Sequence, residues 1–193
     1  MVVTMRLFAL LIAGLAVSAQ TTVPAPPKSG SSAAQKYFTD TILVDQNGVE
    51  RRFYSDLIKD RVVIINVMFT TCKDSCPRMA ETFAKLQGWL GSKLDKEVEM
   101  ISISVDPETD TPALLSAYAQ KFKAKPGWYF LTGKKANVDT VLKKLGLYVE
   151  QKQEHLNLFL IGNDRTGLWK KAFGMAPTDQ TIATLNSVLK DAP

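Results

Sequence analysis

The chain has 193 residues, 46% of them hydrophobic, which fills one ordinary core without disulfide or metal staples. Its formal charge of +5 comes with Lys and Glu interleaved and no Lys/Arg block, so it offers no electrostatic footprint for nucleic acid. Such a mildly basic surface is mainly solvated and suits at most peripheral contact with anionic lipid.

Arg6, the run of apolar and small residues 7–17, and Val17-Ser18-Ala19 are laid out as a signal peptide with a small-residue cleavage site. The apolar run is 11 residues long, too short to cross a bilayer core of about 30 Å as a helix. We therefore expect a signal peptide over 1–19, cleaved after Ala19, and an exported, periplasmic or cell-envelope protein. The alternative is an uncleaved N-terminal anchor lengthened by Val2 and Val3. No cysteine lies near the cut to carry a lipid. Residues 20–36 hold Pro24, Pro26, Pro27, Gly30, Ser31 and Ser32 and read as a flexible linker ahead of a single domain over 37–193.

Within that domain, residues 42–45 and 49–53 flank Asn47-Gly48, a strong hairpin signal. Residues 62–69 (VVIINVMF) form a continuous β-branched run, which predicts a central strand buried on both faces. Cys72 and Cys76 follow at its end. Pro77 opens a helix to about residue 93, with Met79, Phe83, Leu86, Trp89 and Leu90 at helical spacing; a first-turn proline has no N–H to waste. Residues 98–105 (VEMISISV) predict a second buried strand. A turn over 106–112 leads into a helix over 111–123. A short strand over 128–131 and a helix over 134–145 come next. Residues 156–161 and 168–173 form a second hairpin, and 178–190 a last helix capped by Thr178 or Asp179. Strands alternating with helices, then a hairpin and a helix, are the thioredoxin-like order. The expected fold class is α/β, a mixed sheet flanked by helices on both faces, with an N-terminal hairpin.

The two cysteines are the only ones in the chain. A disulfide between them closes a loop of about five residues and contributes little stability, so in an oxidising compartment the pair is better explained by chemistry than by stapling. Four residues apart, they are expected on one face of a helix, one turn apart, at its N-terminus. The unpaired N–H groups and dipole there favour thiolate, which lowers both pKa values and suits disulfide exchange and metal binding. Soft thiolates select Cu(I) or Zn(II). His155 is the only histidine. It precedes a predicted central strand whose leading loop faces the cysteine helix. A sulfur, sulfur, nitrogen set is one ligand short of structural zinc and sufficient for three-coordinate Cu(I).

Phe69-Thr70-Thr71-Cys72-Lys73-Asp74-Ser75-Cys76-Pro77 resembles the Sco/SenC motif, a strand ending in Phe-Thr followed by C-x-x-x-C-P. Ser104-Val105-Asp106-Pro107-Glu108-Thr109-Asp110-Thr111-Pro112 is similar to the family's second hallmark. His155 stands where the family has its copper-binding histidine, ahead of an apolar strand and the turn Asp164 to Gly167. The resemblance covers roughly residues 38–190. It implies one copper ion per chain on Cys72, Cys76 and His155, and Cys72 with Cys76 as the redox pair. It also implies delivery of copper to the CuA site of cytochrome c oxidase, reduction of that site's cysteines, or both. The implied partners are the oxidase subunit carrying CuA and a periplasmic thiol reductase. This chain departs from the family in two places. It reads Glu154-His155-Leu156 where the family usually has Asp-His-Ser, and it has Thr71 where the family often has His before the first cysteine.

The chief alternative is an exported thiol–disulfide oxidoreductase or redox sensor without copper delivery. Typical members use C-x-x-C and a cis-proline ahead of the strand facing the cysteines, whereas no proline lies between Pro126 and Pro177 here. A peroxidase of the peroxiredoxin kind needs Thr three residues before its reactive cysteine, and Phe69 and Lys73 occupy those positions. Asp106 and Asp110 read first as turn and N-cap chemistry, and second as shaping the edge of the site.

Overall fold

The computed structural model describes residues 32–192. The signal-peptide and cleavage expectations for 1–19 lie outside the described residues, as does most of the linker. A first helix, α1 (Ser32–Phe38), begins inside the segment read as linker. Ala34 and Phe38, four residues apart on one helix face, are buried, and the Phe38 ring lies 5.1 Å from Trp169. Composition alone hides such a helix, because its two anchors sit among Ser, Ala, Gln and Lys.

Asn47-Gly48 turns the hairpin of β1 (Ile42–Val44) and β2 (Glu50–Arg52). Gly48 takes φ +77°, and the buried Asp45 carboxylate accepts the N–H groups of Asn47 and Val49 at 2.8 and 3.0 Å. The predicted second strand stops at Arg52, because residues 53–58 coil into a π-helical turn that buries Phe53, Tyr54, Leu57 and Ile58.

The main sheet holds β3 (Val62–Met68), β4 (Val98–Ser104), β5 (Trp128–Leu131), β6 (Leu158–Asn163) and β7 (Leu168–Phe173) in the order β5-β4-β3-β6-β7. β3, β4 and β5 are parallel, joined through α2 (Ser75–Leu90) and α3 (Pro112–Lys121). After α4 (Lys135–Leu145), β6 returns antiparallel to β3 and pairs with β7, and α5 (Thr178–Leu189) closes the chain. Val44 bridges Thr132 and ties the hairpin to the β5 edge.

Period-2 alternation in β3 explains the layering. Val62, Ile64 and Met68 face one core with α2, α3 and α5, while Val63, Ile65 and Val67 face a second core with α1, α4 and the π-helical turn. Met79, Phe83, Leu86 and Leu90 of α2 are buried as their spacing predicts, but Trp89 is exposed on the far side. α5 is capped by neither Thr178 nor Asp179. Pro177 occupies the cap position without a side-chain bond, and Asp179 only accepts the N–H of the next residue, Gln180.

The expected 156–161 strand lies in the main sheet but starts two residues later, at Leu158. Gly174 N–H donates to the Asn157 carbonyl and Leu158 N–H to that of Leu156, so 155–157 leave the sheet as a loop. Because β6 runs antiparallel to β3, the start of β6 lies at the same sheet edge as the end of β3. That topology positions the site.

Candidate metal centre

Three segments meet at this edge: the turn after β3, the loop after β4 and the loop before β6. Sγ of Cys72, Sγ of Cys76 and a ring nitrogen of His155 all lie within 4.8 Å of one another. Cys76 Sγ is 3.4 Å from His155 Nε2. Both cysteines are free, Cys76 buried and Cys72 partly exposed. Phe69, Cys72, Lys152, His155 and Asn157 help line a cleft of about 480 Å³ that opens the cluster to solvent.

The cysteines do not stack one turn apart on a helix. α2 begins at Ser75, so Cys76 sits in its first turn and Cys72 in the turn before it, where Cys72 N–H donates to the Phe69 carbonyl at 3.1 Å. This turn is fixed from across the sheet. The buried Asp110 carboxylate accepts both the N–H and the hydroxyl of Thr70, and the Ser104 hydroxyl at 2.6 Å. Thr111, not Asp110, caps α3, accepting Leu114 N–H. Asp110 therefore shapes the site rather than a helix end. Asp106 reaches the opposite wall: Lys152, three residues before His155, pairs with it at 2.6 Å and lies 5.4 Å over the Phe69 ring. The Phe69 ring in turn meets the His155 ring edge-on, with centroids 5.6 Å apart. Sequence reasoning missed Thr70, Phe69 and Lys152 as supports. Each acts through a partner distant in the chain, and no local pattern marks such a pairing.

The expected lowering of both thiol pKa values fails at Cys76. Burial pushes this thiol far above the ordinary cysteine range, and the adjacent Cys72 sulfur adds to the rise. Backbone hydrogen bonding at Phe69 and Cys76 opposes this without overcoming it. Desolvation outweighs the helix N-terminus. A cation among the sulfurs reverses that logic, because it compensates the buried thiolate directly. His155 is shifted down, chiefly by burial, against the opposing pull of a backbone hydrogen bond at Leu156 and then of the Asp74 charge. The imidazole is therefore neutral near pH 7, and one of its ring nitrogens keeps a lone pair that a metal could take. Two sulfurs and one neutral imidazole nitrogen, converging at the end of a cleft, fit a soft, low-coordinate cation.

Fold and site together define a thioredoxin-like domain with a Cys-Cys-His cluster at the edge of its central strands. The profile of the SCO1/SenC family matches residues 29–189, and the chain belongs to that family. Among solved structures it is similar to a SCO1/SenC family lipoprotein from Bacillus anthracis str. Ames, with 28% identity, TM-score 0.65, and 77% of this chain and 92% of that one covered. It is also similar to Bradyrhizobium japonicum ScoI with copper bound, with 26% identity, TM-score 0.62, and 77% and 96% covered. A third similar structure is BsSco, a member of the Sco family of cytochrome c oxidase assembly proteins that carries a disulfide switch; here identity is 26%, TM-score 0.65, and 80% and 94% of the two chains are covered. The chain spans about half the length of the curated relatives it matches.

Proposed function

We propose that this protein is a cell-envelope copper chaperone. Cys72, Cys76 and His155 hold one copper ion per chain as cargo, and the client is the CuA site of cytochrome c oxidase. The observation that carries this reading is the convergence of two sulfurs and an imidazole nitrogen within 4.8 Å of one another. The copper held by ScoI and the oxidase-assembly role of BsSco's family support the choice of cargo and client. The lipoprotein relative supports placement at the envelope. Among the described residues no helix is long and apolar enough to cross a membrane.

The free thiol pair favours a second role, reduction of the client's cysteines before metal transfer. The partly exposed Cys72 attacks as thiolate and forms a mixed disulfide with the client. The buried Cys76 then displaces the client sulfur. The chain ends as the Cys72–Cys76 disulfide, and the client gains two electrons and two protons as a dithiol. In this reading a thiol reductase of the same compartment restores the pair.

Both roles depend on one redox gate, which is directly measurable. Air oxidation is expected to remove two hydrogens from the intact mass and to abolish copper uptake, since a disulfide offers no thiolate. Reduced protein is expected to bind one equivalent. Thiols that persist under mild oxidant, or oxidised protein that still takes up copper, contradict the gate.

A further inference from the structure

The last turns of α1 and α4 meet at the end of the sheet opposite the metal site. Phe38 packs on Trp169, which pairs with Gly162, and Gly162 pairs with Val63 at the start of β3. Beside Phe38, Tyr37 is 55% exposed. Its hydroxyl donates to the Lys144 carbonyl at 3.1 Å, and Lys144 Nζ lies 5.5 Å over its ring. Lys143 Nζ in turn lies 4.5 Å over the ring of Tyr148, which is also exposed. Exposed Lys36 stands next to Tyr37 in the chain. α1 holds no acidic residue, and the one in α4, Asp139, is paired with Lys135 at 2.6 Å. Asp40 is engaged by the Ser55 and Gln35 side chains. Exposed Glu150 borders the face beyond Tyr148, and the lysines leave it net positive.

Lysines in the last turn of a helix complement its dipole. The dipole does not account for two large aromatic rings that stand outside both hydrophobic cores, each with an ammonium above it. Such a pair suits the boundary between water and lipid, where the ring reaches the acyl border and the charge stays among the headgroups. Two observations choose the occupant. The face is cationic, so its complement is anionic. Residues 1–31 join the domain at Ser32, in α1 itself, so whatever holds that segment holds this face nearest. We propose that the α1–α4 face lies on an anionic lipid surface. Lys36, Lys143 and Lys144 meet the lipid phosphates, and Tyr37 and Tyr148 sit at headgroup level. The proposal rests on the envelope placement given above and is independent of the copper reading. It turns the metal edge, at the other end of the sheet, away from the bilayer, where a client has access to the cleft.

The test uses the full chain with vesicles of phosphatidylcholine, alone or mixed with phosphatidylglycerol. An amine-reactive label read by peptide mass spectrometry reports which lysines the lipid covers. On the anionic vesicles Lys36, Lys143 and Lys144 are expected to lose most of their labelling, while Lys73, exposed beside the metal cleft, keeps its own. Replacing both lysines of α4, Lys143→Gln with Lys144→Gln, is expected to cut the preference for anionic over neutral vesicles roughly 25-fold, about fivefold per lost cation. The preference is the quantity to read, because the apolar run over 7–17 favours both lipids alike. Cu(I) affinity of the double variant is expected to match wild type, which also shows that it folds. Full labelling of Lys143 and Lys144 on anionic vesicles, or a preference that survives the double substitution, overturns the proposal. So does protection that needs no lipid, which marks contact between copies of the chain. Each of these leaves the envelope placement standing, and cell fractionation tests that placement separately.

Discussion

Cys76→Ser is expected to lower Cu(I) affinity by at least about 1,000-fold, because a hydroxyl replaces a soft anionic ligand for a soft cation. Cys72→Ser is expected to lose as much affinity, yet the two variants should differ in stability. Cys76 is 1% exposed and packed in the α2 core, so serine there buries a hydroxyl in an apolar setting, at a cost of roughly 1–3 kcal/mol. Cys72 lies in the partly exposed turn before the helix, where a hydroxyl reaches water. Chelator competition and urea denaturation on both variants check this split. Affinity that survives either substitution removes that sulfur from the ligand set.

Asp110→Ala carries the largest expected loss of stability, on the order of 3 kcal/mol. The change leaves the Thr70 N–H, the Thr70 hydroxyl and the Ser104 hydroxyl without their shared acceptor in a closed part of the fold. In a domain of this size that is a fall in Tm of roughly 6–12 °C. Asp110→Asn keeps one acceptor oxygen in place and is expected to lose about half as much. The alanine variant should also weaken copper binding, since Thr70 anchors the turn that presents Cys72. Calorimetry of both variants tests the ranking. An alanine variant as stable as wild type means that Asp110 does not hold the cysteine turn.

These supports show which parts of the molecule were legible in the sequence. The runs 62–69 and 98–105 announced β3 and β4 through their β-branched and apolar residues, although these fully buried strands also carry Asn66, Glu99, Ser102 and Ser104. The mixed sheet and the placement of the His155 loop facing the cysteines followed from strand order. Cys76 and His155, 79 residues apart, do meet through their side chains. Other features were fixed by three-dimensional balance. Cys72 lies off the helix because a carboxylate 40 residues away holds Thr70. The Cys76 thiol is raised rather than lowered because burial outweighs the helix terminus. α1 and the π-helical turn over 53–58 form to cover the second face of the sheet, and local composition does not record that demand.

The central claim is that His155 and the two cysteines act as one metal site. Cu(I) competition against a chelator, on reduced wild type and His155→Ala in parallel with a disulfide-reduction assay, tests it most directly. His155→Ala is expected to stay folded, to keep disulfide exchange, and to bind copper roughly 100-fold more weakly, having lost one of three ligands. Equal copper affinity in the two proteins contradicts the three-ligand site and leaves Cys72 and Cys76 to redox work alone.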